Sequence, residues 1–174
     1  GVVIVNVAPR NGQKSGTNGA PFGYFRVGEA LVLATTGGRV LSLVRQLGLA
    51  KTVSVLNVPD ALGAMEREYR FSAEELGRLC NTQFRGFEFA PLVAAFLSSG
   101  GILSGIPTPI EVYPEVPSGT VWFVDNFGNV KLTSTAAQTG WGTETRICIA
   151  RSEPVPFVPR LADVPNGKTA FTIG

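Results

Sequence analysis

Asp125 and Asn129 are the side chains in this sequence whose types and spacing best suit chemistry. They bracket the Asn126-Phe127-Gly128 turn at the end of an apolar run, Val121–Val124, that reads as a strand. One carboxylate and one carboxamide therefore stand on the rim of a turn. A carboxylate accepts from an ammonium and a carboxamide can donate to a carboxylate, so the pair could hold an amino-acid-like ligand by both charged ends. The same spacing also suits a hairpin turn in which both side chains bond the local backbone.

The chain contains no histidine. A Ser-His-Asp mechanism is thereby excluded for Ser42, Ser72 and Ser98. Cys80 and Cys148 are the only cysteines and lie far apart. They form neither a disulfide framework nor a zinc pattern, and are read as free buried thiols in a reducing cytoplasm, with no metal expected.

Three further stretches invite a ligand. The polar, glycine-rich loop Arg10–Gly19 follows a strand, as phosphate-cradling loops do. However, Gly12, Gly16 and Gly19 have the wrong spacing for either phosphate-binding motif, which leaves a surface loop as the plainer reading. Thr35-Thr36-Gly37-Gly38 links a strand to a helix. Gly37 and Gly38 would let a ligand approach backbone amides there, although a plain strand-to-helix turn needs none. Arg85 and Glu88 flank Phe84, Phe87 and Phe89. They read either as a surface ion pair over a packed aromatic cluster or as the mixed wall of a pocket.

The elements that must position these residues follow from periodicity and punctuation. Residues 2–7 form an almost continuous apolar run, expected as a strand buried on both faces of a mostly parallel sheet. Phe22–Val27 and Ala30–Thr35 read as strands joined at Gly28-Glu29. A helical segment over 40–48 stops at a glycine, and Val53–Val58 reads as another strand. Asp60 is the expected N-cap of a helix over 61–69, Ser72-Ala-Glu-Glu75 is a capping box, and Pro91 opens a helix closed by Gly100-Gly101.

After Gly105 the texture changes. Prolines at 107, 109, 114 and 117 suggest a linker over 107–117, between an α/β domain (1–106) and a small all-β domain (118–174). Strands at both raw ends, the last at Thr169–Gly174, are expected of a piece of a longer domain.

Composition narrows the classes. Of 174 residues, 44% are hydrophobic and 16% charged, enough for a folded core. The net charge of +2 comes from 15 basic and 13 acidic residues scattered along the chain, so no nucleic-acid surface is expected. No apolar run approaches the ~20 residues of a membrane span, and no signal-peptide pattern is present.

Together these residues resemble the S-adenosylmethionine hydroxide adenosyltransferases, relatives of the fluorinases and chlorinases. Asp125-Asn-Phe-Gly-Asn129, after Trp122-Phe-Val, is similar to that family's Asp-x-Phe-Gly-Asn turn. Val5-Asn-Val-Ala-Pro9, Ala34-Thr-Thr-Gly-Gly-Arg-Val-Leu41, Phe89-Ala-Pro-Leu-Val-Ala-Ala95 and Ala162-Asp-Val-Pro-Asn-Gly167 resemble four further family segments, in the same order.

The resemblance implies an N-terminal α/β domain followed by a C-terminal β-barrel-like domain. It also implies a homotrimer with S-adenosylmethionine bound between subunits. Asp125 and Asn129 would hold the methionine ammonium and carboxylate, and Phe127 would shape the turn. The family's water-activating Asp, Arg and His fall on Ala8, Ser15 and Phe84, with Lys14 and Arg85 as the nearest substitutes. A halide-using member would not need that set, since it must only desolvate an anion. The family also begins roughly 70 residues earlier, by ordinary domain size, and continues beyond the last strand here. Part of the nucleoside site is thus expected outside these 174 residues. A silent nucleoside-binding or scaffold protein is the expectation that competes with an enzyme.

Overall fold

The two expected strands, Phe22–Val27 (β2) and Ala30–Thr35 (β3), form a hairpin about the Gly28-Glu29 turn, with Phe22 opposite Thr35 and Val27 opposite Ala30. The structure is a computed structural model that describes residues 1–7, 20–134, 136–148 and 153–172. The chain divides into two compact units, Gly1–Val116 and Pro117–Gly174.

In the first unit, Val2–Val5 (β1), Thr52–Val55 (β4) and Ile106–Pro109 (β5) complete a five-stranded sheet of order β1-β3-β2-β4-β5. Five helices flank it: α1 (Ser42–Gln46), α2 (Val58–Tyr69), α3 (Ala73–Asn81), α4 (Arg85–Glu88) and α5 (Ala90–Ser98). The unit is α/β, with a mixed sheet. Only β1 and β3 run parallel, and the other three pairings are antiparallel, so the expected mostly parallel sheet is corrected.

Side-chain alternation gives the sheet two apolar faces. Phe22, Leu31 and Leu33 pack with Leu62 and Met65 of α2 and with Val93 of α5. Phe25, Ala34 and Val53 pack on the other face with Leu41, Ile110 and Tyr113. Gly23 marks where β2 and β4 draw together, since a Cβ there would stand 2.7 Å from the Val53 side chain.

The local signals explain most boundaries. Ser72 and Glu75 form the capping box of α3, with the Glu75 N–H donating to Ser72 Oγ at 3.2 Å and the Ser72 N–H to Glu75 Oε2 at 2.8 Å. Gly48, at φ 61°, ends α1, with the Leu49 N–H on Val44 O and the Gly48 N–H on Arg45 O. Asn57, and not Asp60, caps α2. Its Oδ1 accepts the Asp60 N–H, and Pro59 fills the first turn, where no N–H is needed. That early start also shortens the expected 53–58 strand.

Both edges of this sheet differ from their sequence reading. β1 lies at the sheet's edge, with Val2, Val3 and Ile4 at 46%, 47% and 39% exposure, and is not buried on both faces. The expected linker over 107–117 is held to the first unit as far as Glu115. β5 pairs with β4, and the segment after it is tied to α1 by the Arg45–Glu115 ion pair (2.7 Å) and by Arg45 donating to Tyr113 O. Prolines at 107 and 109 are compatible with a strand because they lie on its outer edge. Ile110 donates its N–H to Lys51 O, so by alternation the even residues of β5 face β4 and both prolines face outward.

In the second unit, Val121–Val124 (β6) pairs with Val130–Leu132 (β7), and Arg146–Ile147 (β8) with Val155–Pro156 (β9). A helical turn, Ala136–Thr139 (α6), lies between the two ladders. Trp141 stands edge-on to Phe157 and Phe171, with ring centroids 6.3 and 5.5 Å away. Of the expected strand over 169–174, the described residues 169–172 form a single bridge at Phe171, opposite Phe157, and 173–174 lie outside the described residues. Both cysteines are free, but Cys80 is only partly buried and Cys148, just past the two-residue β8, is exposed. Among the described residues, no helix is long and apolar enough to cross a membrane.

Candidate functional site

The β6–β7 hairpin carries Asp125 and Asn129 together. Asp125 N–H donates to Asn129 O, and Gly128 N–H donates to Asp125 O, both at 3.0 Å. Gly128 has φ 84°, a conformation that glycine adopts without a Cβ penalty. Asp125 Oδ1 accepts the N–H groups of Phe127 and Asn129, each at 2.9 Å, and Oδ2 accepts Asn129 Nδ2 at 2.8 Å. The turn is therefore an Asx-type turn closed by its own two candidate side chains.

This geometry leaves defined capacity. A carboxylate offers about four lone-pair sites, and the turn uses three. Among the described residues, one site stays open on Asp125 Oδ2, and one N–H stays open on Asn129 Nδ2, side by side. An ammonium and a carboxylate from one ligand fit that pair, which is the chemistry read from the residue types. Phe127, at 93% exposure, projects beside them.

The Asp125 carboxyl is held below the usual range, chiefly by the Asn129 side-chain hydrogen bond, then by the backbone N–H groups of Asn129 and Phe127, with a smaller contribution from Lys131. A depressed carboxyl stabilises the turn above its unfolded value, and that stabilisation is lost as the pH falls through the lowered value. Asn129→Ala should therefore raise the Asp125 pKa toward that of an ordinary aspartate, read by carboxyl carbon NMR titration. An unchanged titration would remove the side-chain bond as its cause.

The other candidates disperse. Ala8, Lys14, Ser15 and the rest of the Arg10–Gly19 loop lie outside the described residues. Thr35, which is buried, donates its hydroxyl to Val7 O at 2.9 Å and accepts the Val7 N–H at 3.2 Å, tying the exits of the two parallel strands. The Thr36 hydroxyl reaches Pro21 O at 3.4 Å. Both threonines are thus spent on structure. Gly38, at φ 61°, faces open space and stays accessible next to Gly37.

Arg85 and Glu88 do not pair, contrary to the first reading of that stretch. Glu88 binds Arg78 and the Thr82 hydroxyl, while Arg85 points back to Ala20 O at 3.4 Å, and its burial lowers the guanidinium pKa. Nor do the three phenylalanines cluster. Phe89 is fully buried, whereas Phe84 and Phe87 are 72% and 83% exposed. An open depression of about 370 Å³, lined by Val2, Arg26, Glu29, Leu31 and Ser98, includes none of these candidates.

Sequence reasoning missed that the hairpin is apolar on both faces, with Trp122 and Phe123 half exposed and their ring centroids 5.7 Å apart. Four apolar residues in succession were the signal, since strict alternation would have predicted one polar face. Among the described residues, no three Cys, Asp or Glu side chains gather into a metal-binding group. No protein family, curated protein or solved structure matches this chain.

Proposed function

We propose that the chain binds S-adenosylmethionine, or a related adenosine nucleoside, through the Asp125–Asn129 turn. One observation carries this reading. The turn is pre-organised by its own hydrogen bonds, yet it leaves one carboxylate lone pair and one amide N–H open side by side. The amino-acid end of the ligand is a zwitterion and meets those two groups with its ammonium and carboxylate. A site held in place before the ligand arrives loses little freedom on binding. The barrel-like second domain and the homotrimer belong to the same proposal and rest on the sequence resemblance.

In the enzyme form of this proposal, the oxygen of water or hydroxide, or a halide, attacks the ribose 5′-carbon in line. The new bond forms as the C5′–S bond breaks, and the sulfonium sulfur keeps the electron pair to leave as methionine. With water, the released proton passes to solvent. The protein contributes position and electrostatics, with no covalent intermediate.

A second reading, a silent nucleoside-binding or scaffold protein, is favoured by Phe84. It stands where the resemblance implies a histidine, and it is 72% exposed on the surface. Titration calorimetry with S-adenosylmethionine and with adenosine, followed by chromatography of the incubated mixtures, separates the two. Binding with release of methionine and adenosine, or of a halogenated nucleoside, supports the enzyme. Binding without turnover supports the silent form, and heat from neither ligand overturns the proposal.

A further inference from the structure

We propose that Asn166 is a self-modifying site, at which the folded chain converts its own asparagine to isoaspartate. The pair Asn166-Gly167 carries the chemistry. A backbone nitrogen can attack the side-chain carbonyl of a preceding asparagine when nothing on its own residue shields it, and glycine has no Cβ to do so. Among the described residues, Asn166 is the one asparagine followed by glycine. Two further Asn-Gly pairs, at 11–12 and 18–19, lie outside them.

The fold presents the pair openly. Lys168 N–H donates to Pro165 O at 3.0 Å, closing a turn with Asn166 and Gly167 at its centre. Gly167 has φ 70°, and a Cβ added to it would meet no atom within 4 Å, so a ring has room to form there. Residues 165–169 are all exposed. Among the described residues, no hydrogen bond holds the Gly167 N–H or the Asn166 side chain. The other asparagines are better protected. Asn57 and Asn81 precede the β-branched Val58 and Thr82, and their side chains are tied to the Asp60 N–H and to Gly77 O. After Asn126, the Phe127 N–H is spent on Asp125 Oδ1, and Asn129 Nδ2 is bound to the same carboxylate.

The step balances with water alone. Hydroxide from solvent takes the Gly167 N–H proton, and the nitrogen forms a bond to Asn166 Cγ. The Cγ–Nδ2 bond breaks, and the amide nitrogen leaves as ammonia, taking its last proton from water. Water then opens the resulting succinimide at either carbonyl. Attack at the side-chain carbonyl gives aspartate. Attack at the main-chain carbonyl gives isoaspartate, in which the chain runs on through the side-chain carbon. Either product lowers the net charge from +2 to +1, since one amide becomes a carboxylate. Isoaspartate also adds a methylene to the main chain inside the turn that Pro165 O and Lys168 N–H close. Just beyond that turn, Phe171 donates to Pro156 O and accepts from Val158 N–H, both at 2.8 Å. The lengthened turn loosens this bridge.

Incubation of the folded protein at mildly alkaline pH, followed by tryptic mass mapping against an unincubated control, tests the proposal. Cleavage after Arg160 and Lys168 isolates 161–168, whose only asparagine is Asn166. Peptides 52–67 and 79–85 isolate Asn57 and Asn81 as comparators. The expected result is progressive loss of the intact 161–168 peptide to two products of equal mass, while the comparators persist. An aspartate-specific protease should cut only one of those products at 166. Asn166→Gln should keep its amide, because its longer side chain closes a less favourable ring. An intact 161–168 peptide would overturn the proposal, as would conversion in urea but not in the folded protein. Aspartate without isoaspartate, or equal conversion of the comparators, would overturn it as well. The isoaspartyl form, separated chromatographically, should exchange its Phe171 amide faster by NMR, and unchanged exchange would overturn the loosened bridge.

Discussion

Phe89→Ala is expected to destabilise the first unit by ~3–5 kcal/mol, and Phe87→Ala by less than about 0.5 kcal/mol. The two side chains are two residues apart and chemically identical. Phe89 is fully buried among Leu62, Met65 and Val93, at the corner where α4 gives way to α5. Deleting its ring removes the transfer energy of the buried carbons and leaves a cavity that a three-sided helical contact cannot close. Phe87 is 83% exposed on the four-residue α4 and has little to lose. Urea unfolding, compared at unchanged m-value, measures both. Equal losses for the two variants would show that Phe87 is covered in solution.

That contrast also shows what the sequence could and could not carry. Ser72 with Glu75, Pro91 with Gly100, and the alternation around Gly28-Glu29 are local signals, and each delivered its element because the partner groups lie within a few residues. The position of β1 is different. Four apolar residues in a row look the same in the middle of a sheet and at its edge, and only pairing with β3, nearly thirty residues away, decides between them. The prolines of β5 were informative in a way composition hides. As a cluster they suggest a linker, but their placement on alternate residues 107 and 109 is what an edge strand with one open side requires. Phe84, Phe87 and Phe89 were indistinguishable because a one-turn helix and a helix corner, and not a regular period, set their directions. At the candidate site, residue types named the pair. The remaining acceptor on Asp125 and donor on Asn129 became countable only once their mutual bonds were placed.

Asp125→Asn should abolish detectable S-adenosylmethionine binding while leaving the hairpin folded, and Asp125→Ala should abolish binding and loosen the turn as well. The distinction follows from the two oxygens. Oδ1 accepts the N–H groups of Phe127 and Asn129 and so shapes the turn. An asparagine in the same rotamer keeps that carbonyl oxygen and its two bonds. Oδ2 accepts Asn129 Nδ2 and holds the open lone pair proposed for the ligand's ammonium. In the asparagine variant an NH₂ group replaces it, which donates where the ligand also donates and carries no charge to attract it. Alanine loses both sets, so its Phe127 and Asn129 amides should exchange with solvent faster than in the asparagine variant. Amide exchange by NMR reports the turn, and calorimetry reports the ligand. If Asp125→Asn binds S-adenosylmethionine as the wild type does, the carboxylate is not the ammonium receptor, and the Asx turn is structural. If neither variant binds but Asp125→Asn also loses its protected amides, the rotamer was not kept. Asp125→Ser then replaces it as the test, since its hydroxyl can accept a turn N–H but carries no charge, and wild-type binding in that variant would likewise sink the proposal.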